Sequence, residues 1–265
     1  MIHKFWLSRY TPVVAASALI LVAAGAVDAP DSGTFMFVRG LVAVLGAILG
    51  IWLCSANFFR PALGLTGILV GAIGIDLFLS QSRAVWPRAA GIAHSCVLCA
   101  IFSLTVSIAL LCSKSWDEPA VLLEEHAAPS LRSISIIACF GLAAQIALGA
   151  SFRRDAISIT PHIVGAMLAA AIILYLVMAV LTQYSSHREL KNPAILLTGL
   201  IVTQVLLGIG AFLNKLGEPV LAMPPKFFSE AHIVTGSLTL AAAVILAMRI
   251  HRHIRIAESC VAVIS

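Results

Sequence analysis

Three histidines stand near the starts of long apolar stretches. His94, His162 and His232 each open such a stretch, and the fourth position of the pattern is Val38. An imidazole in hydrocarbon is costly without a partner, so a histidine at membrane depth is a functional candidate by default. Facing imidazoles in a helical bundle can hold haem iron from both sides. We therefore predict that His162 and His232 are paired axial ligands; the alternative is a hydrogen bond between helices at the outer rim.

The elements that position these histidines are predicted to be membrane helices. Hydrophobic residues make up 60% of the chain, charged residues 11%, and the mean hydropathy is +1.03. A soluble domain has roughly 25% charged residues, so that class is excluded. A helical span needs about 20 apolar residues. Eight stretches qualify, which predicts an all-α polytopic membrane protein: 11–27, 36–55, 62–80, 90–112, 133–152, 161–182, 194–213 and 231–249.

The eight stretches divide into two similar sets of four. When residues 24–26 are aligned with residues 148–150, the chain runs without a gap to Val38 in the first copy and His162 in the second. Internal repetition of this kind is common in membrane proteins. We expect two pseudo-symmetric four-helix bundles.

A second alignment supports the same division. It pairs Thr66-Gly67 with Thr198-Gly199, and each of these stretches is followed by a loop and then by Ala93-His94 or Ala231-His232. The predicted units are an N-terminal repeat, a cytoplasmic linker and a C-terminal repeat, at residues 1–113, 114–130 and 131–256.

The basic residues suggest an orientation. An N-terminus inside places ten of the seventeen lysines and arginines in the cytoplasm; this modest bias predicts that both termini are cytoplasmic. A cleavable signal peptide is not expected, because the first stretch runs on into a second. The short length of the chain favours a location in a bacterial inner membrane. The pI of 9.1 indicates contact with anionic lipid, and scattered basic residues argue against nucleic-acid binding.

Small and basic residues near the histidine pair are further candidates. Gly165 and Ala166 follow His162, and Gly236 and Ser237 follow His232, which would leave small surfaces where a flat macrocycle could pass. Three basic residues are candidates for pairing with haem propionates, or are ordinary interfacial residues: Arg153, Arg154 and Lys215.

Other residues suggestive of a site are expected to be structural. Cys96 and Cys99 have the CxxC spacing, but within an apolar stretch and without a second ligand pair they indicate packing rather than zinc. The remaining histidines are expected to be solvated in loops or tails: His3, His126, His187, His251 and His253.

At this point a family resemblance becomes specific. In the C-terminal repeat, Gln145–Ala150 with Arg153 and Pro161–Ala166, and then Gln204–Gly208 with His232–Gly236, resemble the haem A synthase family of cytochrome oxidase assembly factors. The arrangement of two times four helices extends the resemblance over nearly the whole chain.

The resemblance implies a function and a set of partners. It implies a haem b in the C-terminal half on His162 and His232, and an N-terminal half that binds haem O and oxidises its methyl group to the formyl group of haem A, with His94 as one ligand. The implied partners are haem, membrane lipid, haem O synthase, and cytochrome oxidase or another respiratory complex.

The N-terminal half departs from the family pattern. Val38, before Arg39, stands where the family has a histidine, and Phe35 stands where it has a glutamate. Asp76 is the better candidate for a displaced acid, ahead of Asp28 and Asp31.

Three hypotheses remain open from the sequence. The first is a divergent synthase-like oxidoreductase, in which His94 alone holds the substrate haem. The second is a non-catalytic b-haem electron carrier, or an assembly or structural subunit of a respiratory complex. The third hypothesis is a transporter, which the repeats suggest but the histidines at helix starts disfavour.

Overall fold

The computed structural model describes residues 2–27, 33–55, 60–125, 129–217, 223–224 and 226–256. Asp28, Asp31, His126 and the side chain of His3 lie outside what it describes. Within the described residues, eight helices are long and apolar enough to cross a membrane, which confirms the predicted all-α polytopic fold.

The long helices are separated by short connections, except at the centre of the chain. Their bounds are α1 Ile2–Ala26, α2 Gly33–Ser55, α3 Arg60–Ser82, α4 Pro87–Leu111, α6 Leu131–Arg153, α7 Thr160–Gln183, α8 Arg188–Lys215 and α9 Phe227–His253. The central connection contains a short helix α5, Lys114–Asp117, and a strand β1, Leu123–Glu125; a second strand β2, Ile254–Ile256, follows α9. In lipid a helix satisfies its backbone hydrogen bonds internally, which is why apolar runs of this length fold as helices.

Proline marks the starts of two of the helices that carry histidines. Pro87 and Pro161 stand in the first turns of α4 and α7, where a backbone N–H has no partner within the helix and its absence costs little. The real helices are longer than several predicted stretches; α8 begins at Arg188 and α9 continues through Arg249 to His253. A count of apolar residues ends at the first charged residue, whereas the hydrogen-bonded helical backbone continues past it.

The two repeats pack in corresponding ways. In the N-terminal repeat α4 contacts α1 and α3, and in the C-terminal repeat α9 contacts α6 and α8. The repeats meet where α4 contacts α9 and α6, and where α1 contacts α9. Because α4 and α9 each pack against several other long helices, His94 and His232 lie on the two central helices of the bundle.

One end of the bundle holds the starts of α2, α4, α7 and α9, and we call it the histidine end. The opposite end, the tail end, contains a clasp between the central connection and the chain terminus. There β1 pairs in parallel with β2, with Leu123 opposite Ile254. Glu125 is buried and accepts hydrogen bonds from the Leu131 backbone N–H and from Ser130 Oγ, the latter at 2.7 Å. The predicted linker is therefore partly built into the fold.

The last turns of α9 complete the clasp. Arg249 is 5% exposed, pairs with Glu189 at 2.5 Å and donates to Ser115 Oγ at 2.6 Å. His253 is 6% exposed, and its Nδ1 donates to the Val121 carbonyl at 3.1 Å. The expectation that His253 is solvated was wrong, because the returning central connection covers it.

Candidate functional site at the paired histidines

His162 and His232 face each other at the histidine end. Their ring centres are 6.2 Å apart and their planes are inclined by 80°. Both side chains are half-buried. The structure therefore brings together the two histidines that the sequence predicts as a pair.

Each ring lies against a glycine of the preceding helix. A Cβ atom added at Gly149, on α6, would lie 2.9 Å from His162 Cε1, and one added at Gly208, on α8, would lie 3.0 Å from His232 Cε1. Both distances are too short for an ordinary carbon contact. The absence of a side chain at these two positions is what allows the imidazoles to pack so close to the neighbouring backbone.

A glutamine one turn before each glycine contacts the same histidine. Gln145 Nε2 lies 2.9 Å from His162 Nδ1 and donates to the His162 carbonyl at 2.7 Å. Gln204 Nε2 lies 3.2 Å from His232 Nε2, and His232 Nδ1 donates to the Gln204 carbonyl at 3.1 Å. A backbone acceptor at Nδ1 leaves the lone pair of His232 on Nε2, where it accepts from the Gln204 amide in this structure. That amide would have to move aside for Nε2 to bind a metal.

The glutamines in turn rest on a second pair of glycines. A Cβ added at Gly165 would lie 2.5 Å from Gln145 Oε1, and one added at Gly236 would lie 3.1 Å from Gln204 Nε2. The same four-residue unit of glutamine, glycine, histidine and glycine is thus built twice, once on α6 and α7 and once on α8 and α9.

In the sequence, the two glutamines stand out only through the family resemblance. Gly165 and Gly236 are expected there to leave room for a macrocycle, whereas the structure places each of them against a glutamine. The signal that was available is the equal spacing from Gln145 to Gly149 and from Gln204 to Gly208. Among the described residues, the Oε1 atoms of both glutamines are buried without a hydrogen-bond partner, so each amide retains acceptor capacity beside its histidine.

The pair fits a haem better than a bare metal ion. Two nitrogen–metal bonds of about 2 Å, with ring centres about 1 Å beyond the nitrogens, separate imidazole centres by about 6 Å. The observed 6.2 Å agrees with that span. Across the described part of the chain no group of three or more histidine, cysteine or acidic residues could hold a metal ion. A macrocycle supplies four donors of its own and needs only two from the protein.

His94 lies in the core of the N-terminal repeat, in a different setting. Its Nδ1 is 2.6 Å from Asp76 Oδ1, and the two side chains are 2% and 1% exposed. Phe35 is fully buried, with its ring centre 5.7 Å from that of His94, and Val38 is also buried. The residue that the sequence singled out as a displaced acid is therefore the direct partner of His94.

The basic candidates serve other contacts. Arg153 Nη2 donates to the Ala26 carbonyl at 2.6 Å, which joins the end of α6 to the end of α1. The Arg154 guanidinium occupies the space beside Gly91 of α4. Lys215 lies 3.6 Å from Asp155 and 4.0 Å from the ring centre of Phe152. These contacts hold the histidine end together, and none of them is to the histidine pair.

One cysteine of the CxxC pair, Cys99, lies at the contact between the repeats. Cys99 is buried on α4, with its Sγ 3.0 Å from Ser237 Oγ of α9. The contact is between packed helices, as a packing role requires.

No protein-family model, no curated protein and no solved structure matches this chain. The resemblance to the haem A synthase family therefore stays a prediction that rests on the quoted residues.

Proposed function

We propose that the protein is a membrane electron carrier that holds a b-type haem between His162 and His232. The single observation that carries the proposal is the separation of the two imidazole rings, 6.2 Å, within a framework built twice. A bound haem would supply a one-electron redox couple whose potential depends on its axial ligands, their hydrogen bonds and burial.

The protein residues position the pair. Gly149 and Gly208 let each ring pack on a backbone, which limits its rotation. The hydrogen bond from His232 Nδ1 to the Gln204 carbonyl fixes the tautomer of that ring. The surrounding helices are apolar, so the pair sits in a medium of low dielectric constant at one end of the bundle.

The setting of this function follows from the charges. We propose a bacterial inner membrane, both termini in the cytoplasm and the histidine end outside, because the tail end carries the basic C-terminal cluster. The partners that fit are respiratory complexes or their assembly factors, which exchange electrons at the membrane.

A second candidate is the synthase-like oxidation of haem O to haem A. The observation that favours it is the contact between His94 and Asp76, which provides an imidazole and an acid in the N-terminal repeat. Against it stand Phe35 and Val38, which fill the positions where the resemblance requires a glutamate and a second histidine.

One set of spectra tests the haem site. The purified protein should give a reduced-minus-oxidised spectrum of b type, lost in His162→Ala and in His232→Ala. His187→Ala, at the tail-end start of α8, is the matched control and should keep the spectrum. A colourless wild-type protein, prepared with a haem supply, would overturn the proposal.

Haem extraction then separates the two candidates. Cells that also make haem O are used, and the extracted haems are resolved by chromatography. Haem b alone supports the electron carrier. Haem A that disappears in His94→Ala supports the synthase.

A further inference from the structure

We call Gly149 and Gly208, the glycines against which the two imidazoles pack, the cradle glycines. In the N-terminal repeat, Asp76 occupies the position that corresponds to Gly208. The alignment that pairs Thr66-Gly67 with Thr198-Gly199 continues without a gap to Asp76 in the N-terminal repeat and Gly208 in the C-terminal repeat. In the C-terminal repeat the glycine leaves room for the His232 ring, with a Cβ distance of only 3.0 Å to Cε1. In the N-terminal repeat a carboxylate reaches from the same position to the equivalent histidine.

The second cradle glycine is present but filled. Gly25 aligns with Gly149, which packs against the His162 imidazole. A Cβ at Gly25 would instead lie 2.5 Å from Leu98 Cδ1 and 3.6 Å from Phe35 Cε2. Apolar side chains thus take the space that an axial imidazole takes in the other repeat.

Further contacts extend the filled site across three helices. Arg39 of α2 donates to Ser80 Oγ of α3 at 2.6 Å, and Ser80 Oγ donates to the Asp76 carbonyl at 2.9 Å. The Asp76 carboxylate then contacts His94 of α4. A macrocycle placed here would have to separate a buried pair, at the cost of leaving buried polar groups without that contact, and displace a fully buried phenylalanine from a close-packed core. The residues around His94 do not fit a haem.

We infer that the N-terminal repeat binds no haem, and that the Asp76–His94 pair is a polar clamp between α3 and α4 which takes the place of a cofactor. The number of haems per chain is then one, a statement that rests on the proposed function for the haem of the C-terminal repeat. The clamp itself does not depend on that haem. Its role is to stabilise the packing of a repeat whose ligand site is closed.

The first measurement is the ratio of haem to protein, from the pyridine haemochrome spectrum and amino-acid analysis of the purified chain. We expect one haem per chain in the wild type and in His94→Gln. Two haems per chain, or half of the haem lost in His94→Gln, would overturn the inference.

The second measurement is independent of haem. Thermal unfolding midpoints of Asp76→Ala, His94→Ala and the double variant form a cycle. Each single change leaves a buried partner unsatisfied, so we expect each to lower the midpoint by several degrees and the double variant to lose clearly less than the sum. If a single variant fails to accumulate, recovery of folded protein in the double variant supports the clamp.

Additive losses would contradict the clamp. A colourless wild type with a coupled cycle would remove the proposed function and leave the clamp standing, whereas a haem-loaded wild type with an additive cycle would do the reverse. The two failures are therefore distinguishable.

Discussion

The two repeats share one arrangement of helices but differ in what surrounds their histidines. In the C-terminal repeat, glycines of the supporting helices accept two imidazoles that stay half-buried and face each other. In the N-terminal repeat, the corresponding positions hold a carboxylate bound to the histidine and an aromatic ring packed into the remaining space. The comparison teaches that the residue packed behind a histidine decides its surroundings: a glycine leaves room for the ring, whereas an aspartate contacts it.

Filling a cradle in the C-terminal repeat should have the largest effect on haem content. Gly208→Leu places a branched side chain where a Cβ alone already lies 3.0 Å from His232 Cε1. The ring must leave its position, and we expect haem content to fall at least about tenfold, the range found when groups that orient a metal ligand are lost. The measurement is haem per protein after purification. Gly199→Leu on the same helix is the control, because a Cβ added there meets nothing within 4 Å. Equal losses of haem in both variants would contradict the claim that Gly208 makes room for the His232 ring.

Opening the N-terminal repeat should cost stability and leave haem content unchanged. Phe35 is fully buried, so Phe35→Ala creates a cavity and should lower the free energy of unfolding by about 3–5 kcal/mol. Phe37 on the same helix is 71% exposed, and Phe37→Ala should have little effect. Denaturant unfolding in detergent measures both. Haem loss in Phe35→Ala at temperatures where it stays folded would contradict the inference that only the C-terminal repeat holds a haem.

The helices of both repeats were predictable, and the clamp was not. Apolar runs longer than the hydrocarbon thickness are expected to be helices, and their positions at the starts of the sixth and eighth stretches placed His162 and His232 at one end. Whether Asp76 would reach His94 depends on the rotation of α3 against α4, which apolar composition does not fix because lipid-facing and buried residues are alike. For the same reason the burial of Arg249 against Glu189 went unseen; its position near a helix end predicted only a basic residue at the membrane surface.

Changing a glutamine beside the pair should change the midpoint potential of the haem rather than remove the haem. Gln204→Leu keeps the backbone carbonyl that accepts from His232 Nδ1 but removes the amide that lies 3.2 Å from Nε2. Because iron at Nε2 would displace this amide, the change removes a polar group beside the ring and keeps the hydrogen bond that orients it. We expect a changed midpoint potential, since the polarity around a haem ligand tunes it. Potentiometric titration followed at the b-type absorption band measures the change. Thr203→Ala, an exposed neighbour on α8 whose hydroxyl bonds only to Gly199 O, should leave the potential where it is in the wild type.

Removing an arginine at the contact between the repeats should have the smallest effect on the haem. Arg153 is half-buried and donates to the Ala26 carbonyl at 2.6 Å, so Arg153→Leu should cost about 1.5–3 kcal/mol of stability, as expected for one hydrogen bond from a charged group. The midpoint potential should stay unchanged, because this guanidinium donates to the backbone at the end of α1. A shift in potential without loss of stability would assign Arg153 to haem propionates instead, as the sequence alone had suggested. The two readouts therefore decide whether this charge serves the contact between the repeats or the site of only one of them.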